Sequence, residues 1–277
     1  MCELLAMSSR LPTRLTHSLA ALATHAGGAS HNRDGWGVGF YQGRDVALFK
    51  EPCAASDSEL VRLLQSQGPS ATLIIGHLRH ATQGAISLAN TGPFARELYG
   101  RMRVFAHNGN LNGLALSAEF DGGCYRAIGE SDSEMAFCAL LARLRELEKQ
   151  HSELPDVAER LALVGRFAAD LRRLGPANFL YSDGDALFAH ADRRFNPLTG
   201  KVEAPALYRW HCPVPHALLQ DEACDEQCVT FLASVPLSAD GWLPMEEGEL
   251  VALRDGNIVE TLLLGTESIH APGFSKP

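Results

Sequence analysis

The stretch Thr72-Leu73-Ile74-Ile75-Gly76-His77-Leu78-Arg79-His80-Ala81-Thr82-Gln83-Gly84 changes character halfway along. Thr72–Leu78 is a continuous apolar run, the pattern of a strand buried on both faces. It passes directly into Arg79, His80, Thr82 and Gly84, so a buried strand delivers a guanidinium, an imidazole and a hydroxyl to the rim of a sheet. Arginine suits a carboxylate because its planar fork pairs bidentately. An exposed strand-end arginine fits the same pattern, and His77 and His80 fit either a cysteine partner or a structural role.

A second strand, Arg103–His107, runs into Asn108-Gly109. Asn-Gly is a strong hairpin signal. The same pair also fits an oxyanion hole, with the Asn108 amide and the Gly109 N–H aimed at one developing negative oxygen. Upstream, Asn32-Arg33-Asp34-Gly35 is a turn leading into a strand at Trp36–Tyr41, followed by another at Val46–Lys50. Leu11–His25 carries apolar residues at helical spacing (Leu11, Leu15, Leu19, Leu22) and stops at Gly27-Gly28. Asp57–Gln65 reads as a helix started by Ser56 or Asp57.

Ser131–Gln150 gives the clearest helix signal, with Ser131 and Glu134 in a capping-box pattern. Within that opening, Asp132 is either part of the capping or faces a pocket and receives an ammonium. A further helix spans Pro155–Leu174 and stops at Gly175-Pro176. Short strands follow at Ala177–Ser182, Ala186–His190, Ala206–His211, Val229–Ser234 and Glu249–Arg254, with turns at Asp183-Gly184 and Asp255-Gly256. Strands, then two long helices, then strands again do not suggest a doubly wound parallel sheet. The order suits an α+β fold of two stacked antiparallel sheets with helices outside, in one domain spanning residues 1–277.

The 277 residues carry 24 Lys+Arg against 33 Asp+Glu, a formal net charge of −9, which argues against nucleic acid and anionic membrane as partners. No apolar stretch approaches the ~18–20 residues of a membrane span, and the acidic opening Met1-Cys2-Glu3 is unlike a secretory signal. A cytoplasmic location is the expectation. The seven cysteines are odd in number and irregularly spaced, so free thiols are expected rather than a disulfide framework. Cys212, His216, Cys224 and Cys228 lack the tight CxxC knuckles of structural zinc sites. No metal and no organic cofactor is expected.

Cys2 stands apart from the other six. With Met1 removed it carries a thiol and a free α-amine on one residue. The amine, with an ordinary pKa of about 7.7–8.0, is placed to relay a proton from the thiol to a leaving group. An incidental buried cysteine is the competing reading.

Taken together and in order, Met1-Cys2, Arg33-Asp34-Gly35-Trp36-Gly37, Gly76-His77-Leu78-Arg79-His80-Ala81-Thr82, His107-Asn108-Gly109 and Ser131-Asp132-Ser133-Glu134 resemble the class II glutamine amidotransferases. Leu88-Ala89-Asn90-Thr91-Gly92-Pro93-Phe94 and Ala233-Ser234-Val235-Pro236-Leu237 are similar to its stand-alone YafJ-type branch, related to γ-glutamyl hydrolases of the ergothioneine pathway. The resemblance implies an N-terminal-nucleophile hydrolase fold, a four-layer αββα sandwich. It also implies Cys2 as nucleophile with its own amine as base, and an oxyanion hole from Asn108 and Gly109. Arg79, with Thr82 nearby, would bind the glutamine α-carboxylate and Asp132 the α-ammonium, while Trp36 and Gly37 would shape the pocket wall. The implied partners are a small-molecule substrate, L-glutamine or a γ-glutamyl compound, and an ammonia-accepting synthase subunit. Two positions depart from the pattern: Gln83 and Gly92 stand where many relatives place histidine.

Overall fold

The computed structural model describes residues 2–15, 32–196, 199–212, 227–239 and 241–265. Its architecture follows from strands apolar on both sides. In β1 (Glu3–Thr13), Leu4 and Ala6 enter one core while Leu5 and Met7 enter another, the alternation that a pleated strand imposes. β4 (Ala71–Leu78) behaves in the same way, with Leu73 and Ile75 on the first face and Ile74 and Leu78 on the second.

β1 and β4 lie near the middle of a seven-stranded sheet. Its other members are β2 (Trp36–Gln42), β3 (Asp45–Glu51), β11 (Tyr208–Cys212), β12 (Val229–Ala233) and β13 (Leu243–Pro244). The strand order is β13-β11-β12-β1-β4-β2-β3, and the pairings are antiparallel. A six-stranded antiparallel sheet stacks on it, in the order β15-β14-β8-β7-β6-β5. This sheet comprises β5 (Phe94–Leu98), β6 (Arg101–Gly109), β7 (Ala177–Ser182), β8 (Leu187–His190), β14 (Glu249–Arg254) and β15 (Asn257–Leu263). β9 (Arg194–Asn196) and β10 (Lys201–Glu203) form a separate hairpin.

Three cores separate four layers. The inter-sheet core holds Leu4, Ile75, Val104, Leu180, Leu232 and Val251. Outside the six-stranded sheet, Phe105, Phe179 and Phe188 pack against α2 (Asp132–Glu148) and α3 (Val157–Arg172). Outside the seven-stranded sheet, Trp36, Val38 and Phe231 pack against Val61 and Leu64 of α1 (Glu59–Gln67). This is the expected α+β sandwich of two antiparallel sheets between helical layers.

Local chemistry sets the helix starts. Ser58 caps α1 by accepting from Val61 N at 3.0 Å, so the helix begins two residues later than the Asp57 start expected from sequence. Ser131 caps α2 by accepting from Glu134 N at 3.2 Å. Glu134 does not complete the box. Its carboxylate accepts from Ile128 N and Gly129 N and pairs with Arg96, tying the preceding loop to β5. Asp255 and Gly256, both at positive φ, make the two-residue hairpin turn between β14 and β15.

One sequence expectation fails at its start. Leu11–Thr13 are the end of β1 rather than the first turn of a helix, and residues 16–25 lie outside the described residues. Arg10 N donates to Cys228 O, the Gln227 side chain bonds both the N–H and the carbonyl of Leu11, and Thr13 pairs with Ala71 of β4, which together override the helical spacing that begins at Leu11.

At the far end of the sandwich, Arg103 and Arg160 are buried with Asp183. Arg103 also pairs with Glu148, and Arg160 with Asp185. Asp183 additionally accepts from Asp185 N and Ala186 N, which closes the β7–β8 turn. Removing one charge from such a group leaves buried guanidiniums uncompensated. Asp183→Asn should therefore lower unfolding stability by roughly 3–5 kcal/mol, read by urea denaturation; a change within ~0.5 kcal/mol would contradict this account.

Candidate active site

Strand parity gathers the sequence-predicted residues at one open end of the two sheets. Cys2 immediately precedes β1, with the even-numbered parity of Leu4 and Ala6. Asn108 shares a face of β6 with Val104 and Ala106. Both therefore point between the sheets, and the Asn108 side-chain N–H donates to the Cys2 carbonyl at 2.6 Å. The Glu3–Leu78 pairing sets Cys2 beside the end of β4, where His80 N–H donates to Cys2 Sγ at 3.3 Å.

The Asn108 backbone is itself held. Asn178 on β7 donates to its carbonyl at 3.0 Å and to Arg193 O at 2.7 Å, and accepts from Asp192 N. The Asn108 side-chain oxygen is buried without a partner, a costly state that marks this amide as incompletely used by the fold. Gly109 has no room for a side chain: a Cβ there would stand 1.8 Å from Pro176 O and 2.7 Å from His107 Nε2.

Arg79 is buried, and its guanidinium donates to Gln83 O at 3.0 Å, Ala85 O at 3.1 Å, Gly84 O at 3.3 Å and Asp34 O at 3.5 Å. All four acceptors are uncharged carbonyls, so the cation is solvated by the loop rather than neutralised. Asp132 opens α2. One carboxylate oxygen accepts from Leu111 N at 2.8 Å and the other from Ser133 N at 2.7 Å, which fixes the loop after Gly109 to the helix. Thr82 lies exposed on the loop that Arg79 holds.

Cys2, Arg79, Thr82, Gly109 and Asp132 line one cleft together with His77 and His107. Trp36 and Gly37 do not. Trp36 has the parity of Val38 and Phe40, so its indole enters the outer core beneath α1 and donates to Glu51 at 3.1 Å. Gly37 instead gives the Gly92-Pro93 backbone room, since a Cβ would stand 2.5 Å from Gly92 O. Gly92 in turn leaves space for His77, whose Nδ1 would be 2.8 Å from an added Cβ.

Sequence reasoning assigned no role to Asp34, yet its carboxylate accepts from Ala81 N at 2.7 Å and anchors the chain just past Arg79. Gln83 also joins the site, donating to Asn110 at 2.7 Å and bridging the two loops. An aspartate one residue before a glycine turn is the signal that points to the first. The second is a contact between distant loops and leaves no local signal. The Cys212/His216/Cys224/Cys228 set is tested only in part, because His216 and Cys224 lie outside the described residues.

Burial pushes the Cys2 thiol above its ordinary pKa, and Asp132 adds to that, while the His80 N–H and Arg79 pull it down. Burial drives His77 down to about 3 and His190, on β8 with its Nδ1 2.7 Å from Ala177 O, to about 4. His107 is also lowered by burial, against the opposing field of Asp132.

The layered α+β sandwich is shared with solved amidotransferase structures. The fold matches glutamine phosphoribosylpyrophosphate amidotransferase from B. subtilis with a TM-score of 0.56 at 16% identity, over 96% of this chain and 50% of that one. The family model described as glutamine amidotransferases class-II matches residues 1–274, and the chain belongs to that family. It is 34% identical over 260 residues to YafJ of Escherichia coli (strain K12), provisionally named a glutamine amidotransferase, covering 90% of this chain and 96% of that protein. It is also similar to the crystal structure of a predicted glutamine amidotransferase from Pseudomonas aeruginosa PA01. That match has a TM-score of 0.66 and 32% identity, over 94% of this chain and 100% of the other.

The two strongly depressed histidines fix the sign of an acid response. In the unfolded chain both take up a proton near pH 6.5, whereas the folded protein holds them neutral to about pH 3 and 4. The folded state binds fewer protons across that window, so stability falls as pH drops through it. Urea unfolding at pH 7 and pH 5 should show a loss of roughly 2 kcal/mol per histidine, and His77→Leu should make the slope shallower. An unchanged slope in that variant would contradict the assignment.

Proposed function

We propose that this protein is a single-domain enzyme that hydrolyses a γ-glutamyl amide, most simply L-glutamine to glutamate and ammonia. The observation that carries the reading is the joining of Cys2 to the buried Asn108 amide across the two sheets, beside a cleft that holds Cys2 together with one cation, Arg79, and one carboxylate, Asp132. A free amino acid head carries the opposite charges, and a cleft with one of each sign complements it.

In this mechanism Met1 is removed and the Cys2 α-amine accepts the thiol proton. The thiolate attacks the side-chain carbonyl, and the tetrahedral oxyanion is met by the Asn108 side-chain N–H and the Gly109 N–H. The C–N bond breaks, the amine returns the proton to the leaving nitrogen, and ammonia departs, leaving a γ-glutamyl thioester. A water then attacks, its proton going to the same amine, and glutamate is released as the thiol reforms. The cleft encloses only about 30 Å³, so glutamine enters as the 82–86 segment shifts and its carboxylate replaces loop carbonyls on Arg79. Thr82, on that segment, then lies close to the carboxylate. The released ammonia would serve a synthase subunit, in the cytoplasm; no described helix is long and apolar enough to cross a membrane.

A larger leaving group, as in a γ-glutamyl peptide or thioether, is favoured by one observation. The loops flanking the cleft expose Ile86, Leu88, Leu116 and Ile128, each more than half accessible. Ammonia has no use for such a rim. Comparing turnover of glutamine with that of γ-glutamylcysteine-type compounds decides between them.

The primary test pairs intact mass with an ammonia-release assay. The expected result is a mass lacking Met1, with release abolished in Cys2→Ala although the protein stays folded. Asn108→Ala should lower kcat about 10²–10³-fold, and Asp132→Asn should act mainly through KM. A retained Met1 with no turnover of any γ-glutamyl compound would replace this reading with that of a non-catalytic glutamine-binding subunit.

A further inference from the structure

His107 is 2% exposed and lines the cleft beside Cys2, yet no step of the hydrolysis needs it. On β6 it has the opposite parity from Asn108 and sides with Phe105, the two rings stacking 6.5 Å apart at 12°. Gly109 leaves room for the imidazole, since its Nε2 would be 2.7 Å from an added Cβ.

Two contacts assign the ring proton. Nε2 is 3.4 Å from Pro176 O, and Nδ1 is 2.9 Å from Ser133 Oγ. A carbonyl only accepts, so Nε2 carries the hydrogen and Nδ1 is a bare acceptor. Burial lowers the pKa of the ring, which keeps it in this uncharged form at neutral pH.

Ser133 therefore has one hydroxyl proton and two acceptors within reach. Its Oγ is 2.9 Å from His107 Nδ1 and 3.3 Å from Asp132 Oδ1. The second distance is long for a hydroxyl on a carboxylate, and a buried imidazole nitrogen left unpartnered is costly. The proton goes to His107.

The consequence falls on Asp132. Its Oδ2 accepts from Leu111 N at 2.8 Å and its Oδ1 from Ser133 N at 2.7 Å, one backbone donor each. A carboxylate has roughly four acceptor sites, and this one lines the cleft. A hydroxyl turned onto Oδ1 would fill one of the remaining sites and weaken the negative field that an incoming ammonium meets.

We propose that His107 and Ser133 are positioning residues for substrate binding: the imidazole draws the Ser133 hydroxyl off Asp132 and leaves that carboxylate open to the α-ammonium of a γ-glutamyl substrate. This role rests on Asp132 being the ammonium partner in the cleft.

Binding is read apart from turnover by calorimetric titration of L-glutamine into full-length Cys2→Ala protein. His107→Leu, His107→Asn, His107→Leu/Ser133→Ala and Asp132→Asn are each added to it. Glutaramic acid, which is glutamine without its α-amine, is the control ligand. His107→Leu should weaken glutamine about five- to tenfold and glutaramic acid by less than about twofold. His107→Asn, whose amide oxygen can replace Nδ1 as acceptor, should recover most of the loss. Removing the hydroxyl in the double variant should recover it too, whereas mere damage to the fold would add. With Cys2 intact, His107→Leu should act on KM rather than kcat. His107→Met serves the same purpose if the leucine variant does not fold.

Equal weakening of both ligands, or a double variant no tighter than His107→Leu alone, would overturn the proposal. If Asp132→Asn weakens glutamine and His107→Leu does not, the role of His107 and Ser133 fails while the γ-glutamyl reading stands. Glutamine binding unaltered by Asp132→Asn, or no heat from glutamine at millimolar concentration, overturns both.

Discussion

The structure depends on a single strand being buried from every side. β1 has hydrogen-bonded neighbours along both edges and apolar cores on both faces, so its backbone has no freedom to shift register. Cys2 inherits that fixity because it is the next residue out. From there the site is assembled by strand ends: His80 from β4 reaches the sulfur, and Asn108 from the opposite sheet reaches the carbonyl. A one-residue slip in β6 would turn Asn108 toward the helices and put a different side chain between the sheets.

Around this core the loops are bound to each other by polar contacts rather than by packing. Arg79 gathers the 83–85 carbonyls, Asp34 anchors Ala81, Gln83 reaches Asn110, and Asp132 holds Leu111. Each contact exchanges partly with water, so their net contribution is modest. The cleft thus has a rigid floor made of strands and a rim that can be rearranged at small cost, a division that suits binding a solute larger than the resting opening.

The sequence already announced β4, β6 and α2, with Arg79, Thr82, Gly109 and Asp132 of the cleft and Asn108 beside Cys2, because each lies at a change from apolar strand or helix cap to polar cluster; Cys2 stood out by its place after Met1. β1 stayed hidden: buried on both faces, Leu4-Leu5-Ala6-Met7 has no alternation to read, and its far end mimics a helical repeat. Trp36 was misplaced for a related reason. A motif residue next to Gly37 looks like a pocket wall, but only the strand's neighbours decide which face is inward, and here Trp36 sides with Val38. Asp34 and Gln83 act through partners 47 and 27 residues away, distances over which no local pattern exists.

Gly109 carries one more consequence. Its backbone lies so close to the Pro176 carbonyl that the β6–β7 pairing excludes any larger residue, whatever passes through the cleft. Folding alone therefore preserves this glycine. A descendant of this chain that had lost all chemistry would still retain it, whereas the Asn108 side chain, with its unpartnered oxygen, is far less constrained by the fold. Between neighbours in sequence, one letter records the demands of the sheet, and the other is left open by the fold to whatever the cleft is for.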